Sequence, residues 1–123
     1  MTRNVKAGAL QSPALLSIDL QNDFVLPGAA CVAGTIECIP QVRLLVDAFR
    51  QLHLPIVHVI RLYETDGSNA EPCRRQFIRD HSPLVAPCSP GARLVNELCP
   101  PELLEVEAES LYVKGMEKIV GNE

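Results

Sequence analysis

The sequence has no apolar stretch approaching the roughly 18 residues a membrane span needs, and its polar start, MTRNVKAG, lacks the apolar core of a signal peptide. It has no basic excess: a net charge of −4 and a pI near 5.3 argue against nucleic acid or an anionic membrane as the main partner. There is no C-x-x-C among the five cysteines, Cys31, Cys38, Cys73, Cys88 and Cys99. Their odd number and irregular spacing speak against a disulfide framework or a zinc site and suit reduced thiols in a cytosol. No G-x-G-x-x-G follows the first apolar run, so nucleotide binding is poorly supported, and no G-x-S-x-G marks a serine hydrolase. Tryptophan is absent, aromatics make up 4%, and there is neither an internal repeat nor a low-complexity tract. What the chain does have is a composition 47% hydrophobic over 123 residues, enough for one packed domain rather than a disordered chain.

The first apolar run, Ala14-Leu15-Leu16-Ser17-Ile18, ends abruptly in Asp19 and turns polar at Gln21-Asn22-Asp23. A short continuous run of this kind reads as a buried strand of a parallel sheet, at about residues 14 to 19. Pro27-Gly28 marks a tight turn. From Thr35 to Leu52, Val42, Leu45, Val46, Phe49 and Leu52 recur at helical spacing, with Asp47, Arg50 and Gln51 on the opposite side. Thr35 is the expected N-cap, Pro40 fits only in the first turn, and with no glycine at the end His53 or Leu54 must turn the chain before Pro55. Ile56 to Leu62 is a second, largely β-branched strand, which completes a βαβ unit. Beyond a polar loop turning at Asp66-Gly67, Asn69 can cap a short helix from Glu71 to Arg79. Five prolines between His81 and Pro101 keep regular structure brief, although Gly91 to Leu98 has room for two helical turns burying Leu94, Val95 and Leu98. In the tail, Leu111-Tyr112-Val113 and Ile119-Val120 are alternative third strands.

A carboxylate just past a buried strand stands at the carboxyl edge of the sheet, where open α/β folds bind their ligands. Asp19 is therefore the first candidate, read from its position equally as a general base or as a loop aspartate that merely turns the chain. Asp23 reads as a solvated loop residue. Cys73, beside Arg74 and Arg75, reads as a bystander sooner than a nucleophile. His58, inside an apolar strand, reads as a hydrogen-bonded core histidine, His53 as a helix-end residue and His81 as a loop residue. Arg61, Arg74, Arg75 and Arg79 either attract an anionic substrate or partner, or form a solvated helix face.

The element Ser17-Ile18-Asp19-Leu20-Gln21-Asn22-Asp23-Phe24, followed by Pro27-Gly28, resembles the opening signature of the isochorismatase-like cysteine hydrolases. That family includes nicotinamidases and N-carbamoyl amide hydrolases. The likeness continues through Arg43-Leu44-Leu45, Leu54 to Val59, Arg61-Leu62-Tyr63 and Asp66-Gly67-Ser68-Asn69, over roughly residues 13 to 100. It implies a three-layer α/β/α Rossmann-like parallel sheet, with residues 1–123 as a single, incomplete domain carrying its first half, two or three strands. It also implies a cysteine nucleophile attacking a small amide or related C–N bond, with an Asp and a Lys beside it. Asp19 matches the Asp that serves as base for the thiol, and Phe24, by the same resemblance, walls the substrate pocket or else simply covers the sheet edge. The family's Lys precedes an Arg-aromatic-small-Ala-Phe element that neither Lys114 nor Lys118 introduces, and its Cys follows a fourth strand, where none of the five cysteines falls. Some relatives bind a metal through an Asp-x-His pair after the second strand; Tyr63-Glu64-Thr65-Asp66 stands there instead, so neither a metal nor a cofactor is expected.

The leading expectation is the N-terminal portion of a cytoplasmic hydrolase of this family, acting on a small-molecule substrate once completed. The alternative is a catalytically inactive short form acting through homo-oligomerisation or partner binding, since a strand edge left open at the middle of a sheet pairs with other chains. An unrelated small α/β binding domain requires the D-x-Q-x-D-F match to be chance.

Overall fold

The computed structural model describes residues 11–100 and 112–121. Two apolar runs pair first: β1 (Leu15–Ile18) lies parallel to β2 (Ile56–Ile60), with Leu15 opposite Ile56 and Ile18 opposite Val59. Between them run a single helical turn, α1 (Asn22–Val25), and the long helix α2 (Thr35–Gln51). After β2 come α3 (Pro72–Asp80), a 3₁₀ turn at Pro90–Ala92, and the strands β3 (Tyr112–Lys114) and β4 (Glu117–Gly121). The sheet order is β1-β2-β4-β3, with β1, β2 and β4 parallel and β3 antiparallel to β4. Three parallel strands with helices between them are a Rossmann-like α/β arrangement.

Tyr112-Val113 and Ile119-Val120 both lie in strands, so the choice between them dissolves; Leu111 lies outside the described residues. Lys114 faces Glu117 across a two-residue turn, Gly115-Met116, and Gly115 adopts φ +58°, which a residue with a Cβ reaches only under strain. The hairpin lets β4 fill the third parallel position while β3 takes the edge.

α2 packs one face of the sheet through Ile39, Val42, Val46 and Phe49, which meet Leu15, Ile56, Val95 and Leu98. The expected face was rotated. Leu45 is 50% and Leu52 67% exposed, because the seam follows 39, 42, 46 and 49, and Leu52 lies beyond the helix as its C-cap. The N-cap is Gly34, not Thr35. Pro40 is the sixth residue of α2, past the first turn, and removes the ladder bond to the Ile36 carbonyl on an exposed stretch. At the C-terminus His53 does make the turn, at φ +55°: its N–H donates to Arg50 O (3.2 Å) and the Leu54 N–H to Phe49 O (2.9 Å), a Schellman closure without glycine.

A second cluster, Phe24, Tyr63, Ala70, Ile78, Leu84, Val85 and Ala92, packs beneath the loops. Asn69 does not cap α3, whose N-cap is Glu71. Its side chain ties the preceding loop instead, accepting from Glu64 N (2.7 Å) and donating to Leu62 O (3.1 Å). The two turns expected from Gly91 reduce to the 3₁₀ turn, because Leu94 is drawn into a bridge with Gln21; Leu94, Val95 and Leu98 are nonetheless buried.

Candidate functional site

The end of β1 is held in place by its own polar residues. Gln21 is fully buried and its side chain makes three hydrogen bonds. Its Oε1 accepts from Arg61 N (2.8 Å), while its Nε2 donates to Arg61 O (2.8 Å) and to Ala92 O (2.8 Å). One side chain thus joins the ends of β1 and β2 to the 3₁₀ turn. Asn22 adds a bond from its Nδ2 to Pro90 O (2.8 Å), and its N–H donates to Arg93 O (2.8 Å). Asp23 is not a solvated loop residue: its Oδ2 accepts the Val85 N–H at 2.8 Å. Val85 is buried at φ +39°, and a Cβ on Gly91 would fall 2.2 Å from the Asp23 carboxylate, so the loop closes over this acid with no room to spare.

Asp19 sits just past β1 at φ +58°, a conformation in which Asp is among the few tolerated side chains. Its N–H donates to Val59 O (2.9 Å), so the backbone is fixed to β2 while the side chain, 35% exposed, points off the sheet edge. Arg61 Nε stands 3.7 Å from Asp19 Oδ2. The Arg61 Nη1 donates to the Tyr63 hydroxyl (3.0 Å) and pairs with Glu71, and that hydroxyl donates to Glu71 Oε2 (2.5 Å). The Tyr63 bond pushes the Arg61 guanidinium further up, burial raises the Tyr63 hydroxyl, and the Tyr63 bond holds Glu71 below the usual carboxylate range. The result is a fixed ridge with Asp19 at one end.

Clefts of about 460 Å³ and about 370 Å³ lie along this ridge, and Asp19, Arg61, Tyr63 and Glu71 line both. The larger also takes in Phe24, Thr35, Cys73 and Arg74. Phe24 is buried with the Arg74 guanidinium 5.6 Å from its ring centroid. Asp19 and Phe24, the two residues singled out from the sequence, therefore meet in one cleft. Of the other arginines, Arg75 binds Gly67 O and Ala70 O, and Arg79 is exposed at the end of α3. Cys73 is exposed on the cleft rim.

A second polar group lies inside the sheet. Ser17 Oγ hydrogen-bonds with His58 Nδ1 (2.7 Å), and His58 Nε2 stands 3.7 Å from Glu117 Oε2. Glu117 also accepts two bonds from Arg50, at 2.7 Å and 3.1 Å. Burial alone would raise the Glu117 carboxyl, but His58 and Arg50 together hold it down to about 2. Ser, His and Glu here follow the order of a hydrolytic triad, yet Ser17 and His58 are buried and line neither of the two clefts. This is a core network, and His58 is the hydrogen-bonded core histidine expected from its strand.

Among the described residues no group of three or more His, Cys, Asp or Glu comes together to hold a metal, and no helix is long and apolar enough to cross a membrane. After β2, where some relatives place metal ligands, the Asp66 carboxylate is taken by Ser68 N (2.9 Å) and the Tyr63 hydroxyl by Glu71. These residues do not fit a metal site.

An acid at the carboxyl end of β1, beside strand ends tied together by a buried glutamine in a largely parallel sheet, defines an α/β protein with its cleft at the sheet edge. The Isochorismatase domain family matches residues 13–109, and the chain belongs to that family of hydrolases. It is 33% identical over 90 residues to a probable inactive nicotinamidase of Arabidopsis thaliana, a match covering 72% of this chain and 46% of the relative. Among solved structures it is similar to an isochorismatase family protein from Desulfovibrio vulgaris, with 41% identity and a TM-score of 0.65 over 71% of this chain and 46% of that one. An N-carbamoylsarcosine amidase from Thermoplasma acidophilum shares the fold at 18% identity, with a TM-score of 0.61 over 90% and 51%. The chain thus spans about half the length of the relatives it matches.

Gln21 and Asp23 are the residues that sequence reasoning undervalued. The available signal was their polarity immediately after a buried strand; their partners, 40 and 62 residues away, were not visible.

Proposed function

We propose that this chain supplies the Asp half of a cysteine-hydrolase site of the isochorismatase family, with Asp19 as the base for a thiol nucleophile and Phe24 as a wall of the substrate cleft. The observation that supports this best is the position of Asp19: backbone pinned to Val59, side chain at the cleft and paired with Arg61. The substrate is a small amide or a related C–N compound. A carboxylate in hydrogen-bond reach of a thiol accepts its proton as the sulfur attacks the carbonyl carbon, that proton passes to the nitrogen as the C–N bond breaks and the amine leaves, and water then cleaves the thioester to the acid and the free thiol. Neither the thiol nor the family's lysine has a matching position in these 123 residues, so the chain alone is inactive on amides. The test is ammonia release from small primary amides by the chain supplemented with the rest of a family domain. Turnover that is lost in Asp19→Asn supports the reading, and turnover indifferent to that substitution overturns it.

A second reading, action through association, is favoured by the sheet itself. Among the described residues β1 is an edge strand, and Leu16 and Ile18 on it are 57% and 59% exposed. In this reading the sequence acts through what pairs with β1, whether or not chemistry follows.

A further inference from the structure

Arg61, Arg74, Arg75 and Arg79 follow one another after β2, and the fold gives each a different task. Arg75 donates to Gly67 O (3.3 Å) and Ala70 O (3.1 Å). Arg79 is exposed and lines neither cleft beside Asp19. Arg61 stands among acids, with Asp19 Oδ2 3.7 Å from its Nε and Glu71 paired with its Nη1. Both oxygens of that Glu71 carboxylate have partners, Oε1 in Arg61 and Oε2 in the Tyr63 hydroxyl. Arg74 differs from all of these. It is partly buried, it lines the larger cleft, and its guanidinium lies 5.6 Å from the centroid of Phe24. Among the described residues no carboxylate pairs with it. Contact with a ring uses none of the five N–H donors of a guanidinium, so the Arg74 fork stays open to an acceptor.

We propose that Arg74 determines the substrate class: the cleft takes small amides that also carry a carboxylate, with the amide at Asp19 and the carboxylate on the Arg74 fork. The proposal rests on the reading of Asp19 as the base and adds to it what the rest of the substrate must be. A guanidinium fork matches a carboxylate in shape as well as charge, through two parallel N–H···O bonds. Phe24 is buried beside it, and an apolar wall strengthens an ion pair relative to open water. Asp19 and Arg74 line the same space of about 460 Å³, which suits a small molecule that reaches both. A cationic amide fits less well. The acids it would seek, Asp19 and Glu71, already face Arg61, and it would bring a like charge towards Arg74. A neutral amide gains nothing from Arg74 beyond what water offers.

The experiment titrates the protein with three compounds of similar size by isothermal calorimetry: succinamate, its neutral counterpart succinamide, and the cationic β-alaninamide. Succinamate should bind at least about tenfold more tightly than either of the others, with a preference that shrinks as salt is raised. Arg74→Gln, with the far-UV circular dichroism of wild type, should bring succinamate down to the level of succinamide. Arg74→Lys keeps the charge but not the fork and should retain part of the preference. Arg79→Gln removes the same charge from outside the clefts and should leave the preference unchanged. No binding of any of the three, equal binding of all, or tighter binding of β-alaninamide overturns the proposal. So does a preference that survives Arg74→Gln, that falls equally in Arg79→Gln, or that Arg74→Lys leaves at its wild-type value. Binding is read without turnover, so the two readings fail separately. Arg74-dependent binding of succinamate beside ammonia release indifferent to Asp19→Asn keeps the ligand class and removes the base. Asp19-dependent release from neutral amides that Arg74→Gln leaves unchanged removes the role of Arg74 alone.

Discussion

Replacing Glu117 with Gln should reshape the acid side of the stability curve. Glu117 is 9% exposed and bound by both arms of Arg50, with His58 beside it, and its carboxyl is held at about 2 against an ordinary 4.5. A carboxyl whose folded value lies below its unfolded one contributes stability that is complete above about pH 4.5 and is lost as the pH falls through about 2. A depression of that size corresponds to about 3 kcal/mol, from about 1.4 kcal/mol for each pH unit. The amide of Gln keeps one acceptor for Arg50 but no charge, so the variant loses this contribution at neutral pH and its pH dependence with it. Urea unfolding followed by far-UV circular dichroism at several pH values checks the idea. Wild type should exceed Glu117→Gln by about 3 kcal/mol at pH 6, with the gap closing towards zero near pH 2. A gap that stays constant across that range, or one below about 0.5 kcal/mol at pH 6, would refute the assignment of a charged, buried Glu117.

Two further outcomes follow from local geometry. Gln21→Leu strands the Arg61 N–H and the Arg61 and Ala92 carbonyls; at about 1–3 kcal/mol for each unpaired buried group, unfolding stability should fall by at least about 3 kcal/mol, and exchange at the Arg61 amide should accelerate. His53→Gly relieves a left-handed residue at the end of α2 and should raise the thermal midpoint, for a gain of about 1 kcal/mol.

Where the sequence was legible, local physics dominated. The apolar runs of β1 and β2 needed only their continuity to be read as strands, and Asp19 was placed at the sheet edge simply because it ends the first of them. A turn at His53 or Leu54 is legible because Pro55 forces it and no glycine is at hand, and the fold gives it to His53. What escaped depended on distant partners. Asp23 looked solvated because Val85, whose N–H it accepts, lies 62 residues on. Glu117 gave no sign of burial, since its carboxylate is answered by Arg50 and His58 from two other elements. The face of α2 was rotated because the sheet selected Ile39 over Leu45, a choice that helical spacing alone leaves free. The β3–β4 hairpin was split into rival strands because neither half is long enough to declare itself, and only the Gly115 turn unites them. Within the candidate site, the family resemblance singled out Asp19 and Phe24, whereas the Arg61–Tyr63–Glu71 ridge that frames them emerged only from the folded chain.

The central claim is the proposal that Asp19 is the base of a cysteine-hydrolase site of the isochorismatase family. It is tested most directly by ammonia release from a panel of small primary amides, using the chain supplemented with the rest of a family domain. The account predicts turnover, and a loss of about a hundredfold or more in Asp19→Asn although the variant still folds. Turnover that is unchanged by Asp19→Asn would contradict it.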